Sequence, residues 1–225
     1  MNVEFNLLSN AADSIDSAIE LIAWGNEKVE ASRLKQSIQS IAHGIELLLK
    51  ERLRRVHPAL LWENVDKYPS LNARTVNSEG ALTRLINIAG LSFPKEDIEL
   101  IRSLRATRNA IEHYSWKTTK NEADRIVGQA LAFALDFSSK QLKHSFFGYH
   151  NRKDDTFDTL LSSNSAFATA IREREKFNFP EHAQVTSACS FCRSVAVDQK
   201  TGACSICGHW EYRSPIEEWS DDLPF

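Results

Sequence analysis

The sequence predicts a mainly α protein: an antiparallel helical bundle followed by a small β module. Three observations predict it. Apolar residues recur at three- and four-residue steps from Leu7 to about Lys143. An alternating strand pattern is almost absent before residue 183. All four cysteines fall between Cys189 and Cys207, as two C-x2-C pairs.

The first helix carries Leu7, Leu8, Ala11, Ile15, Ala18, Ile19 and Ile22, with Ser9 or Asn10 as its cap and Gly25 just past its end. A longer helix runs roughly from Val29 to Val56, with Leu34, Ile38, Ile41, Ala42, Ile45, Leu48, Leu49 and Leu53 inward. Arg52, Arg54 and Arg55 stand where the helix dipole favours cations, and Pro58 stops the helix. An irregular stretch from His57 to Ser78 follows, then a short helix from Ser78 to Ala89 closed by Gly90. Ser92 is the expected cap of the next helix, with Pro94, Glu96 and Asp97 in its first turn. That helix carries Ile98, Ile101, Leu104 and Arg105 and frays between Tyr114 and Lys120. A further helix runs from about Asn121 to Lys143, with Ile126, Ala130, Phe133, Ala134 and Phe137 inward.

The segment from Phe157 to Phe177 has helical periodicity and crowded charges between Arg172 and Lys176, so it reads as a connecting helix or a pair of short ones. These elements divide the chain into a bundle (1–145), a connecting segment (146–182), a cysteine module (183–213) and an acidic tail (214–225) carrying Trp219 and Phe225.

The chain has 225 residues, 42% hydrophobic and 25% charged, with a formal net charge of −3. That balance excludes bulk attraction to nucleic acid, so any such role needs a local basic patch or a buried active-site arginine. No apolar stretch approaches the ~18 residues of a membrane span. The first ten residues, MNVEFNLLSN, lack the basic-then-apolar pattern of a signal peptide. Cytoplasm is the expected location.

The cysteine pairs Cys189/Cys192 and Cys204/Cys207 can close around one ion as four thiolates in tetrahedral geometry. Four identical ligands leave no open position, so the predicted role of the metal is structural. Val195 and Val197, then Lys200, Thr201 and Gly202, suggest a β-hairpin, giving a zinc ribbon that needs Zn2+ to fold. An iron–sulfur cluster and disulfides are the alternative uses of the four thiols. Arg193, Lys200, His209 and the rings of Phe191, Trp210 and Tyr212 can meet nucleic acid, or the rings can pack the ribbon against the bundle.

The helix of Ile98 ends in Arg108-Asn109-Ala110-Ile111-Glu112-His113. Arginine offers a permanently charged planar fork for a phosphodiester. Histidine is the side chain best suited to proton transfer near neutrality. RNA supplies its own nucleophile, the 2′-hydroxyl, so these groups suffice for cleavage without a catalytic metal. On a helix Asn109 and His113 share a face. Arg108 and His113 are displaced by roughly 140° about the axis, which two copies facing across a two-fold axis would relax. Arg108 and Glu112, four apart, can equally form an ordinary surface ion pair, and His113 can be a surface histidine favoured by the helix end. Glu46 on the second helix can hold Arg108 or pair with Lys50; His43 reads as structural.

With these residues the chain resembles the HEPN family, a four-helix bundle found in prokaryotic ribonuclease toxins and defence proteins. Arg108, Asn109 and His113 match its motif. The run from His43 to Lys50 (HGIELLLK) is similar to a second helix of one branch, that from Leu60 to Lys67 (LLWENVDK) to the connection after it, and Thr75, Val76 and Ala81 to Leu85 to its third segment. The resemblance covers residues 5–145. It implies a metal-independent endoribonuclease leaving 2′,3′-cyclic phosphate ends, with a composite Arg/His site at a homodimer interface and an antitoxin or regulatory protein as partner. The alternative it carries is a non-catalytic binding or sensor module in a defence or regulatory system. Some family members accept AMP on a tyrosine two residues after the histidine. Here Tyr114 follows directly and Ser115 holds that place, so this chain departs from them.

Overall fold

Helix α1 (Leu7–Ala23) starts at a reciprocal cap. Asn6 Oδ1 accepts from the Ser9 amide at 2.9 Å, and Ser9 Oγ accepts from the Asn6 amide at 3.1 Å. Ser9 is thus the third helical residue rather than the cap, because the box needs both side chains and only Asn6 precedes the helix. In this computed structural model the residues described are 6–24, 30–144, 146, 156–176, 185–190, 195–198, 202 and 210–211.

Helix α2 (Glu30–Val56) packs along α1. Arg33 donates to the Leu21 carbonyl through Nε at 3.0 Å and Nη2 at 2.7 Å. Gly44, eleven residues on, lies over Ile15 and the Ala11 carbonyl. The two contacts run in opposite chain directions, so α1 and α2 are antiparallel. A Cβ at position 44 would come within 2.6 Å of Ile15 Cδ1, so glycine permits the close approach. Ile15, Ile19, Ile38, Ile41, Leu48, Leu49 and Leu53 are completely buried in the core between these and the later helices. At the end of α2 the buried Glu51 receives Arg54 at 2.7 Å and Arg55 at 2.9 Å.

Residues 57–77 form two single turns of 3-10 helix, Pro58–Leu61 and Val65–Lys67, folded back by a bridge between Trp62 and Thr75. Arg84 of helix α3 (Ser78–Asn87) clamps this segment. Its guanidinium donates to the carbonyls of Leu60 (2.6 Å), Trp62 (2.6 Å) and Glu63 (2.8 Å). Gly90 then takes φ +66°, a conformation that L side chains rarely adopt, and turns the chain towards helix α4 (Lys95–His113). Ser92, expected as the cap of α4, is not its N-cap: Pro94 is, with no side-chain cap bond. Pro94 presets φ, and the carboxylates of Glu96 and Asp97 satisfy the positive helix end instead.

Helix α5 (Lys120–Phe137), capped by Thr119, continues through a π-helical turn (Ser138–Leu142) and stops at Lys143 in the left-handed conformation. The chain entering α4 meets the last turn of α5: Phe93 stacks on Phe137 at 6.0 Å, and Phe137 in turn on Phe133 of its own helix at 5.6 Å. Helices α4 and α5 are therefore antiparallel. Lys120 pairs with Glu30 at one end, and Arg55 donates to the Leu142 carbonyl at the other (2.8 Å), so α5 runs parallel to α2. Adjacent antiparallel pairs and a parallel α2–α5 contact make an up-down bundle.

Helices α6 (Thr156–Ser163) and α7 (Ser165–Lys176) belong to the same core. Phe157, Leu160 and Phe167 are buried, and the two phenyl rings meet edge-on at 6.0 Å. Asn164 caps α7 by accepting from the Phe167 amide (2.8 Å) and ties it to α5 by donating to the Asp124 carbonyl (3.1 Å). Arg174 reaches the Asp97 carboxylate of α4 and stands 3.7 Å from Asp136 of α5. The described helices of the connecting segment, 156–176, thus pack on α1 and α5.

Two short strands follow. β1 (Val185–Ala188) pairs antiparallel with β2 (Val195–Asp198), in the register Val185 to Asp198, Ser187 to Val197 and Ala188 to Val195. Val195 and Val197, expected in a hairpin, thus lie in β2, whereas Lys200 and Thr201 lie outside the described residues. Among the described residues no helix is long and apolar enough to cross a membrane.

Candidate functional site

Helix α4 turns one face towards α2. Ile101 and Leu104 are buried there. Continuing along that face at helical spacing, Arg105, Arg108 and Asn109 meet His43, Ile45 and Glu46 of α2 and Asn77 and Ser78 at the start of α3. Together they enclose a cavity of about 300 Å3 with an apolar floor and a polar rim.

Each charged group at the rim has a partner. Arg105 Nη1 donates to Glu79 Oε2 at 2.7 Å. Lys50 pairs with Glu46 at 2.7 Å and also donates to Thr75 Oγ1 at 3.1 Å. Of the two arrangements the sequence left open for Glu46, the Lys50 pair is the one that forms. Glu46 and Arg108 nevertheless line the same cavity.

The Arg108 guanidinium curls along its own helix. Its Nε stands 2.9 Å from Glu112 Oε1, and its Nη1 donates to Asn109 Oδ1 at 3.2 Å. The other Glu112 oxygen, Oε2, stands 3.8 Å from His113 Nε2. One carboxylate therefore faces both the arginine and the histidine, and the awkward five-residue offset is spanned by the residue between them. His113 does not line the cavity; it is 64% exposed at the helix end, beside an 81% exposed Tyr114. Arg108, Asn109 and Glu46 are thus gathered around one hollow, with His113 just beyond Arg108. Sequence reasoning missed His43 as a cavity residue, although its i, i+3 spacing to Glu46 puts both on one face. It also treated Glu112 only as an ion-pair partner.

A larger groove, about 860 Å3, runs between the start of α4, α5 and α7 along Phe93, Phe133 and Phe137. Its basic groups already meet carboxylates: Arg174 with Asp97, Lys140 with Asp136 (2.8 Å) and Arg125 with Glu122 (2.7 Å). That groove lies away from the Arg108 motif and holds no histidine.

Of the cysteines expected to bind zinc, Cys189 is buried immediately after β1. Cys192, Cys204 and Cys207 lie outside the described residues, as does the acidic tail. Among the described residues no cluster of three or more metal-ligating side chains occurs. Compared with protein-family models, with curated proteins and with solved structures, the chain finds no match.

Proposed function

We propose that this chain is a metal-independent endoribonuclease of the HEPN type, with Arg108 and His113 as its catalytic pair. The observation that carries the proposal is the shared carboxylate: Arg108 and His113 approach opposite oxygens of Glu112. A phosphate bridging those two side chains would occupy the place of that carboxylate. Arg108 would bind the non-bridging oxygens, where charge grows in the transition state. The 2′-oxygen forms a bond to phosphorus as the bond to the 5′-oxygen breaks. One proton leaves the 2′-hydroxyl and one is delivered to the departing 5′-oxygen. His113 carries one of these transfers, and the products are a 2′,3′-cyclic phosphate and a 5′-hydroxyl. Asn109 orients Arg108 through its side-chain oxygen. The exposed end of α4, with His113 and Tyr114, is the surface on which a second copy would complete the site. Zinc, held by Cys189, Cys192, Cys204 and Cys207, would supply structural cross-linking of the ribbon.

The direct test incubates purified protein with mixed cellular RNA in brief EDTA, beside Arg108→Ala and His113→Ala. Cleavage with cyclic phosphate ends by the natural chain only is the expected result. Equal, intact RNA in all three samples overturns the catalytic reading. The existing Arg108–Glu112 pair favours a second reading, a non-catalytic RNA-binding or sensor module. That reading predicts salt-dependent RNA binding without cleavage, and no growth defect on expression for Arg108→Ala to relieve.

A further inference from the structure

The cavity beside Arg108 has a shape and polarity of its own. It is lined by Ile45, Ile101 and Leu104 as apolar surface and by Glu46, Asn77 and Asn109 as hydrogen-bonding groups. Resting on the ribonuclease reading above, we infer that it is a subsite for one unstacked guanine of single-stranded RNA, next to the cleaved phosphate.

Size and position argue for a single base. About 300 Å3 is at the lower end of small-molecule pockets. A paired base would bring its partner with it, and two bases need more room than a hollow of that volume offers. Arg108 lines the cavity and also contacts Glu112, so a base in the cavity places its own phosphate at the arginine. The exposed His43 ring at the rim offers a stacking surface, as aromatic side chains do for splayed RNA bases.

The hydrogen-bonding pattern argues for guanine. Asn77 Oδ1 is taken by the Gly80 amide at 3.0 Å, and Asn109 Oδ1 by Arg108 at 3.2 Å. These contacts fix the orientation of both amides and leave their N–H groups to donate. Glu46 can only accept when ionised. It is held by Lys50, which is itself fixed to Thr75, so the carboxylate is preset before any ligand arrives. An acceptor-only carboxylate flanked by amide donors complements a base with two adjacent N–H groups and neighbouring acceptors. Guanine has N1–H and the 2-amino group side by side, with O6 and N7 as acceptors. Adenine, cytosine and uracil lack that adjacent pair of donors.

The test titrates the full-length chain with each of the four nucleoside 3′-monophosphates, and sequences the cleavage ends of a defined single-stranded RNA. Guanosine 3′-monophosphate is expected to bind at least about tenfold more tightly than the other three, the discrimination of one bidentate contact. Glu46→Gln, nearly isosteric and still able to accept from Lys50, should erase that preference while its circular dichroism stays unchanged. His43→Ala should weaken all four nucleotides together. Cleavage should map beside guanosines. Four equal affinities, or no nucleotide binding at all, overturn the subsite. RNA cut without base preference overturns it while leaving the catalytic reading intact. Guanosine preference without any cleavage upholds the subsite and overturns the catalytic reading.

Discussion

Replacing Gly128 by alanine probes the seam between α5 and α7. A Cβ at this position would lie 2.4 Å from the Phe167 backbone nitrogen, 2.7 Å from Asn164 Oδ1 and 2.9 Å from the Ala166 carbonyl carbon. Two of the three are main-chain atoms of α7, which cannot rotate aside. Helix propensity alone favours alanine by about 1 kcal/mol. Against it stand overpacking, about 1–3 kcal/mol, and loss of the Asn164 cap, about 1 kcal/mol. The net is a loss of roughly 2 kcal/mol, which in a chain of this size lowers Tm by about 4–8 °C. Gly80→Ala is the control: its Cβ would come no nearer than 3.3 Å to Val76 Cβ, with Val76 Cγ1 at 3.6 Å and Asn77 Oδ1 at 3.7 Å, so the gain in helix propensity offsets the tight contact and the variant should melt within about 2 °C of the natural chain. Thermal unfolding followed by circular dichroism measures both. If Gly128→Ala melts with Gly80→Ala, α7 does not rest on α5 as described, and the inclusion of α6 and α7 in the bundle is wrong.

Three further outcomes are expected. Arg84→Ala removes three hydrogen bonds to carbonyls, and hydrogen exchange should show peptides of residues 57–77 losing protection while α2 and α5 keep theirs. Acid should destabilise the fold in two stages. Burial, and then the charge of Arg55, holds His144 below its ordinary 6.5, so stability falls as pH drops below that value and the unfolded chain takes the proton first. Burial alone would raise the Glu51 carboxyl, but hydrogen bonds and charge from Arg54 and Arg55 outweigh it and hold it below 4.5; its contribution is present above that pH and lost as pH falls through the lower folded value. Urea titrations between pH 8 and 3 should show both stages, with Glu51→Gln abolishing the lower one. Glu112→Gln breaks a partly exposed pair worth about 0.3–0.5 kcal/mol, so Tm should barely move, while RNA affinity at low salt should rise because Arg108 is released; weaker binding would make Glu112 a support for Arg108 instead of a competitor of phosphate.

What the sequence disclosed was what is local. The burial of Ile38, Ile41, Ile45, Leu48 and Leu49 follows a 3.6-residue period that needs no knowledge of the partner helix. Helix ends were less legible, because a cap is decided by which of several neighbouring polar residues precedes the first turn; Asn6, Ser9 and Asn10 are all competent by type. The membership of α7 in the core was hidden by its charges. Arg174 reads as surface until Asp97, 77 residues earlier, is brought to it. At the site, Arg108 and Asn109 stood out as a short motif, whereas the cavity they share with His43 and Glu46 exists only once α2 and α4 are paired. The role of Gly128 was invisible for the same reason: a glycine within a helix looks like a weakness until the chain that crosses it is known.

The Arg174–Asp97 pair has a mechanical meaning for the motif helix. Asp97 lies in the first turn of α4, where it is buried and held from α7. His113 and Tyr114, at the far end, are mostly exposed. Helix α4 is therefore a beam supported at both ends: its root is held by a buried ion pair, and near its tip Ile111, with Trp116 just beyond, rests on the core. The side chains of His113 and Tyr114 project from that supported backbone, so they can turn towards whatever meets this end while the helix beneath them stays still.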